Sequence, residues 1–570
     1  MRVNVQFTEI AMHRIYQLLL ISTPMITLAI NPWSNFDPIS LPKMLILTSV
    51  GASLCFLLTS RNKDFRVRLP RHHWLVFTIF LTWLVTVILF SGASLTQQLW
   101  GSFGRNTGFV TYFSLLMVLI AAAILQNRSY YAGFARALVG TAVPMTAYCL
   151  VQMYGRDPIG WSEFAAFGTL GNVNFLSAFL GMTSIACISL TLDSKAKLTS
   201  RIFLAGLAVL DIFIAYSTGS IQGVVIFTAG IFALLYVQIH YIKSSWKRVY
   251  SSLYLVTLFA STFAGIAGLI NKGPLAKFLF QQSVIFRADY MHAGWEMTVT
   301  KPLFGVGLDS YGEWYRETRG EISTLRTGDA GVNRVSNSAH NIFLDISSNG
   351  GLVLGVSFVA IMVLAGISAI KFLRSRDEFD PYFAAIVSVW FAYQVQALVS
   401  INQIGVGIWG WLLSGVLIGY GRLSKTDSVP QESGNSKNKN RRSFRGVPLS
   451  ARDSIAAILG FIVGTFVAVP PLTADIAYRS ASLTGDIAQI TQAVNKIGST
   501  QFHKELALDF ALRNNKVPET SDLAKQLVIE FPRNFFAWRV LSVLTDSTPY
   551  DREKALIRVR SLDPFNPEGR

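Results

Sequence analysis

The sequence predicts an all-α, polytopic membrane protein of about thirteen spanning helices, with a small water-soluble helical domain at its C-terminal end. Three observations lead there. Of the 570 residues 51% are hydrophobic and 15% charged, and the mean hydropathy is +0.41. Predominantly apolar runs long enough for a ~30 Å hydrocarbon core recur along the chain. The basic residues between them fall in alternate connectors, the distribution of the positive-inside rule.

The spans are expected at roughly 14–30, 42–59, 74–91, 109–126, 133–153, 175–192, 202–217, 221–239, 250–270, 351–370, 382–400, 404–421 and 454–471. Lipid-facing backbone must satisfy its own hydrogen bonds, and these runs are too long for barrel strands, so helices are the expectation. Met1 to Glu9 is polar, and the apolar run after it leads to a loop and a second span instead of a small-residue cleavage site. Cys55, Cys149 and Cys187 all fall inside spans, which leaves no disulfide framework and no paired-cysteine metal site.

The formal net charge of +17 does not point to nucleic acid, because of where the charge sits. Arg61, Lys63, Arg66, Arg68 and Arg71 follow the second span, and Lys195, Lys197 and Arg201 the sixth. Lys243, Lys247 and Arg248 follow the eighth, and Lys371, Arg374 and Arg376 the tenth. An inner (cytoplasmic) membrane protein with a cytoplasmic N-terminus and an external C-terminal domain is expected, which places His340 outside. Membrane lipids are then its surroundings.

The domains are expected at 1–423 for the membrane domain with a large external loop at about 271–350, 424–453 for a basic, disordered cytoplasmic linker, 454–471 for the last span, and 472–570 for an external helical domain. In that last part the Ala524 to Pro532–Asn534 pattern recurs as Ala555 to Pro564–Asn566, with the prolines about 32 residues apart. The spacing resembles tetratricopeptide helical pairs, whose period is about 34. Such a tail either binds a partner in a concave groove or caps the membrane domain.

Chemistry is expected in the external loops. The chain has no GxxxxGK[ST] phosphate loop and no HExxH site, which argues against a nucleotide-driven pump or a zinc protease. No cofactor is expected. Arg105, Arg287 and His340 are the candidates. An arginine fork matches the oxygens of a diphosphate and stays charged; read alone, Arg287 and Arg105 are equally interfacial arginines reaching for lipid headgroups. A histidine with an ordinary pKa near 6.5 can take a proton from an attacking hydroxyl, or can simply pack its loop. Asn172 and Asn174 either bind hydroxyls of a ligand or cap the sixth span. Pro302 to Gly307 reads as a turn that shapes the loop. Asp211, a carboxylate deep in the seventh span, is the best argument for a transporter or flippase instead of an enzyme. A noncatalytic scaffold is the third alternative.

Several short segments, taken in order, resemble the O-antigen ligase and polymerase superfamily, which includes bacterial O-linked oligosaccharyltransferases. They are Leu41-Pro42-Lys43, Gly168 to Phe175, and Arg287 with Trp295 and Pro302 to Gly307; the strongest is His340-Asn341 followed by Gly350 to Gly355. The resemblance covers roughly residues 14–421. It implies a fold of the membrane glycosyltransferase C type and a metal-independent transfer of glycan from a polyprenyl diphosphate to an acceptor hydroxyl on a glycan, lipid or protein. Arg287 would hold the diphosphate and His340 would activate the acceptor, with Arg105, Asn341, Asn172, Asn174 and Gln222 in the binding site. Gln222 marks a departure. Members often carry a Ser-Arg-Gly element where this chain reads Ser217 to Gly223 without an arginine. Arg105 then compensates, or the donor is held differently, or activity is reduced.

Overall fold

A computed structural model of the chain describes residues 2–161, 165–326, 335–423, 450–544 and 548–566. The described residues are helical with no strand, and a helix stands at each of the thirteen expected spans. These are α1 (Arg2–Leu28), α2 (Ser40–Ser60), α3 (Arg71–Phe90), α4 (Phe109–Leu125), α5 (Arg128–Met153), α6 (Val173–Thr191), α7 (Leu198–Ser217), α8 (Ile221–His240) and α9 (Lys247–Leu269). Two helices of the long loop come next, α10 (Gln282–Thr300) and α11 (Tyr311–Thr318). The bundle then resumes with α12 (Ile342–Ser375), α13 (Pro381–Ala397), α14 (Ile404–Tyr420) and α15 (Ala451–Thr484). The C-terminal domain adds α16 (Ile487–Val494), α17 (Gln501–Arg513), α18 (Val517–Glu530), α19 (Phe535–Val543) and α20 (Pro549–Leu562).

Among the described residues, nine helices are long and apolar enough to cross a membrane, and α4 and α14 are shorter apolar helices. The protein is a multi-pass membrane protein. The two short helices pack on each other at the centre. All of α14 and nearly all of α4 are buried, so neighbouring helices, not lipid, surround them. At the other extreme α9 buries only Gly268 and lies at the periphery.

The last span joins the bundle by lying along α2. Gly460 and Gly464, one turn apart on α15, meet the backbone of Ala52 and Thr48, where a Cβ would come within 2.5 Å of each carbonyl oxygen. This is the close small-residue approach that packs helices in lipid. Ser53 Oγ donates to Ala457 O at 2.8 Å across the same contact. At the basic end of the bundle Arg61 pairs with Asp453 at 2.5 Å, and Arg128 with Asp380 at 2.8 Å. Asp211 is fully buried and accepts from Thr146 Oγ1 at 2.5 Å and Thr183 Oγ1 at 2.6 Å. Its carboxyl therefore ties α5, α6 and α7 together, which gives the residue structural partners.

Of the helices that run past their expected bounds, α1, α12 and α15 do so furthest, and α1 begins at Arg2. α12 begins at Ile342, and the expected start at 351 is a kink where Gly351 has φ 78° and ψ 174°. The Pro302 to Gly307 turn seats against that break. Val306 N–H donates to Ser348 O at 2.9 Å, Gly307 N–H to Asn349 O at 3.0 Å and Leu352 N–H to Pro302 O at 2.8 Å. α15 continues through Pro470 and Pro471 to Thr484, carrying the chain from the bundle into the C-terminal domain. The greater part of the 424–453 linker, residues 424–449, lies outside the described residues.

The C-terminal helices pack each on the next and dock on the loops at the His340 end. Buried Asp475 accepts from Phe36 N–H at 2.7 Å and Asp37 N–H at 3.0 Å, and pairs with His503 Nε2 at 3.1 Å. Asp563 takes Arg316 at 2.9 Å and Arg319 at 2.8 Å.

Candidate active site

The turn that carries His340 is shaped by the start of α12. Asn341 caps that helix, its side chain accepting from Leu344 N–H at 3.0 Å, and His340 just before it takes a left-handed φ of 52°. Ser338 Oγ accepts the His340 N–H at 3.2 Å. Asp345, in the first turn of α12, accepts the Ala339 N–H at 3.1 Å. The imidazole lies beside Tyr290, ring centroids 5.1 Å apart, and neither ring nitrogen has a hydrogen-bond partner among the described residues. Burial, then the charges of Arg287 and Arg105, push its pKa down to about 4 against a smaller opposing effect of Asp345. The ring is neutral at physiological pH.

His340 faces a cavity of about 320 Å³, within the ~300–1,000 Å³ usual for ligand sites. Of the seven predicted site residues, six line it: Arg105, Asn172, Asn174, Gln222, Arg287 and His340. Asn341 is not among the lining residues, and its side chain is used by the helix cap. Trp295 is 56% exposed on α10 and also lies outside the lining.

The two arginines differ. Arg287, near the start of α10, is half-buried and has no ion-pair or hydrogen-bond partner among the described residues. Burial lowers its pKa, but a guanidinium remains charged. Arg105 is engaged within the protein: Nη2 donates to Asp345 Oδ2 at 2.6 Å and lies 3.4 Å from Asp309 Oδ1, and Nη1 donates to the Asn337 carbonyl. Burial works against its charge, yet Asp309 and Asp345 hold it above the ordinary arginine value. Asp309 also accepts the N–H groups of Ser102 at 2.8 Å and Thr107 at 3.1 Å, which fixes the turn bearing Arg105.

The polar amides divide in the same way. Asn172 caps α6 by accepting Asn174 N–H at 2.8 Å, and Asn174 Oδ1 accepts from Ser220 Oγ at 2.8 Å, which ties α6 to the start of α8. Gln222 is 5% exposed, and neither its carbonyl oxygen nor its amide nitrogen has a partner among the described residues. A buried amide left so costs roughly 1–3 kcal/mol, which suits a group that meets a ligand. α2, α6, α8 and α14 all begin at the cavity, where Ser40, Asn172, Gln222 and Gln403 line it. Their N-terminal dipole ends favour an anion there.

Sequence reasoning missed the carboxylates that build this frame. Asp37 also lines the cavity: one oxygen accepts Ser40 N–H at 2.9 Å, while the other is buried without a partner among the described residues. Burial, with a smaller contribution from Asp475, raises its pKa. The available signals were Asp37-Pro38 in a short loop and Asp345 in the turn after His340-Asn341, neither distinctive alone. Among the described residues no group of three or more His, Cys, Asp or Glu that could hold a metal is present.

A family model for O-antigen ligase matches residues 203–359, from α7 through the kink of α12. Residues 203–359 are an O-antigen ligase domain. That segment, and not the chain as a whole, carries the likeness to proteins of glycan transfer and polysaccharide biosynthesis. The O-antigen ligase domain holds Gln222, Arg287 and His340, whereas Arg105, Asn172 and Asn174 reach the same cavity from the helices before it. No curated protein matches the chain.

Proposed function

We propose that the protein transfers a glycan from a polyprenyl-diphosphate-linked donor to an acceptor hydroxyl at the external face of the inner membrane. The observation that carries this reading is the pairing, in one cavity, of an unpartnered arginine with a neutral histidine whose nitrogens are free among the described residues. Arg287 holds the diphosphate, assisted by the helix N-termini, and Gln222 meets an uncharged part of the donor where another arginine would add charge. The acceptor oxygen attacks the anomeric carbon as His340 takes its proton. The bond from that carbon to the diphosphate oxygen breaks, and its electron pair leaves with the carrier. The positive charge this step needs comes from Arg287 and the helix dipoles, without a metal. Arg105 acts as a positioning residue, holding the His340 turn through Asp345.

The test is reconstitution in proteoliposomes with labelled lipid-linked glycan and acceptor extracted from the cells that make the protein. A covalent product on the acceptor supports transfer. Movement of the label across the bilayer with no covalent product would replace the enzyme by a flippase.

A further inference from the structure

Beside the catalytic cavity lies a second, larger chamber of about 480 Å³, walled on one side by the Arg105 loop and α11 and on the other by α17 and the α18–α19 turn. Phe103 and Asn337 line both spaces, so the two are neighbours through that pair, and Asn337 stands three residues before His340.

Its chemistry differs from that of the cavity. The cations are matched: Arg316 is paired with Asp563 at 2.9 Å and Arg533 with Glu317. Acceptor oxygens are the unmatched groups. Glu313 Oε1 is buried with no hydrogen-bond partner among the described residues, whereas Glu505 is held by Gln501 at 2.9 Å and Asn534 at 2.5 Å. Phe502 is 38% exposed and stacks on Phe103, centroids 4.5 Å apart, with Phe536 also in the wall. Aromatic faces beside hydrogen-bond acceptors suit a ligand with apolar C–H faces and many hydroxyl donors, and the balanced cations do not call for an anion.

We infer that this chamber is the acceptor subsite and binds an uncharged saccharide, whose terminal hydroxyl passes between Phe103 and Asn337 to His340. The inference rests on the transfer reading above and gives the C-terminal domain a role in it, as half of the acceptor's binding wall. Arg287 lines the cavity and not the chamber, so the diphosphate clamp and the chamber are separate sets of residues.

The full-length protein in detergent is probed with a printed array of defined neutral and acidic oligosaccharides. Neutral oligosaccharides should be retained, Phe502→Ala should weaken retention about tenfold, and the shape-conserving Glu313→Gln should weaken it in the same direction. Arg287→Lys and His340→Ala should leave retention unchanged, so loss of turnover in those variants and loss of saccharide binding are separate results. No retention by the unmodified protein, retention of acidic saccharides alone, or retention untouched in both chamber variants would overturn the subsite.

Discussion

Arg105 and Asp345 are joined by a 2.6 Å charge-assisted hydrogen bond inside the protein, and the other oxygen of Asp345 holds the N–H of Ala339 next to His340. The two charges therefore set where the histidine stands, and little of the Arg105 charge is left for a ligand.

Removing one member strands the other. Arg105→Ala should cost roughly 3–5 kcal/mol of stability, as breaking buried pairs does, and abolish transfer together with the fold of the His340 turn. Thermal unfolding in detergent measures it. An Arg105→Ala protein of unchanged stability that has lost donor affinity would instead make Arg105 a ligand contact.

Arg287 predicts the opposite pattern. With no protein partner to strand among the described residues, Arg287→Ala should leave the melting temperature unchanged and remove donor binding. Arg287→Lys keeps the charge but loses the fork, so donor affinity should still fall at least about tenfold. Binding of lipid-linked glycan by purified protein measures both variants, and near-normal affinity in Arg287→Lys would exclude bidentate recognition.

The pH profile derives from the depressed pKa of His340. An ordinary histidine would lose its basicity below about 6.5, whereas this one, at about 4, should keep kcat/KM level through roughly pH 5–8. An anionic diphosphate beside the ring stabilises the imidazolium, so kcat, which reports the bound complex, should bend at a higher pH than kcat/KM. Stability is a poor readout here. The unfolded chain binds more protons than folded His340 between about 4 and 6.5, so that contribution is present above 6.5 and lost as pH falls. Glu313, pushed up to about 7 by burial, has the opposite sign and loses its contribution as pH rises from 4.5 through 7. Coincident bends for kcat and kcat/KM near the ordinary histidine value of about 6.5 would contradict the assignment.

Sidedness is tested by single cysteines at exposed positions. Glu321→Cys and Asp522→Cys should react with an impermeant thiol reagent on intact inner-membrane spheroplasts, and Lys195→Cys only after permeabilisation. Labelling at Lys195→Cys before permeabilisation would invert the arrangement.

The spans were legible because lipid imposes one period and one length on the sequence, and the kink at Gly351 falls where the apolar run was expected to begin. Arg287 and His340 were legible as basic residues of the long external loop, and Gln222 through the resemblance, where an arginine is expected. That they meet was not, since the cavity joins segments from Asp37 to Gln403 whose proximity no local pattern encodes. Arg105 and Arg287 look alike in sequence; only the placement of Asp309 and Asp345 separates a structural arginine from one with no partner among the described residues. In the tail, Pro532 and Pro564 mark the turns that close α18 and α20, so the spacing saw helix ends, while the docking through Asp475 and Asp563 depends on contacts far apart in the chain.

The measurement closest to the central claim is glycan transfer by His340→Ala in proteoliposomes, normalised to folded protein and to bound donor. Loss of a positioned base should lower the rate roughly 10²–10⁴-fold with donor binding and melting temperature unchanged. An undiminished rate in that variant would contradict His340 as the base.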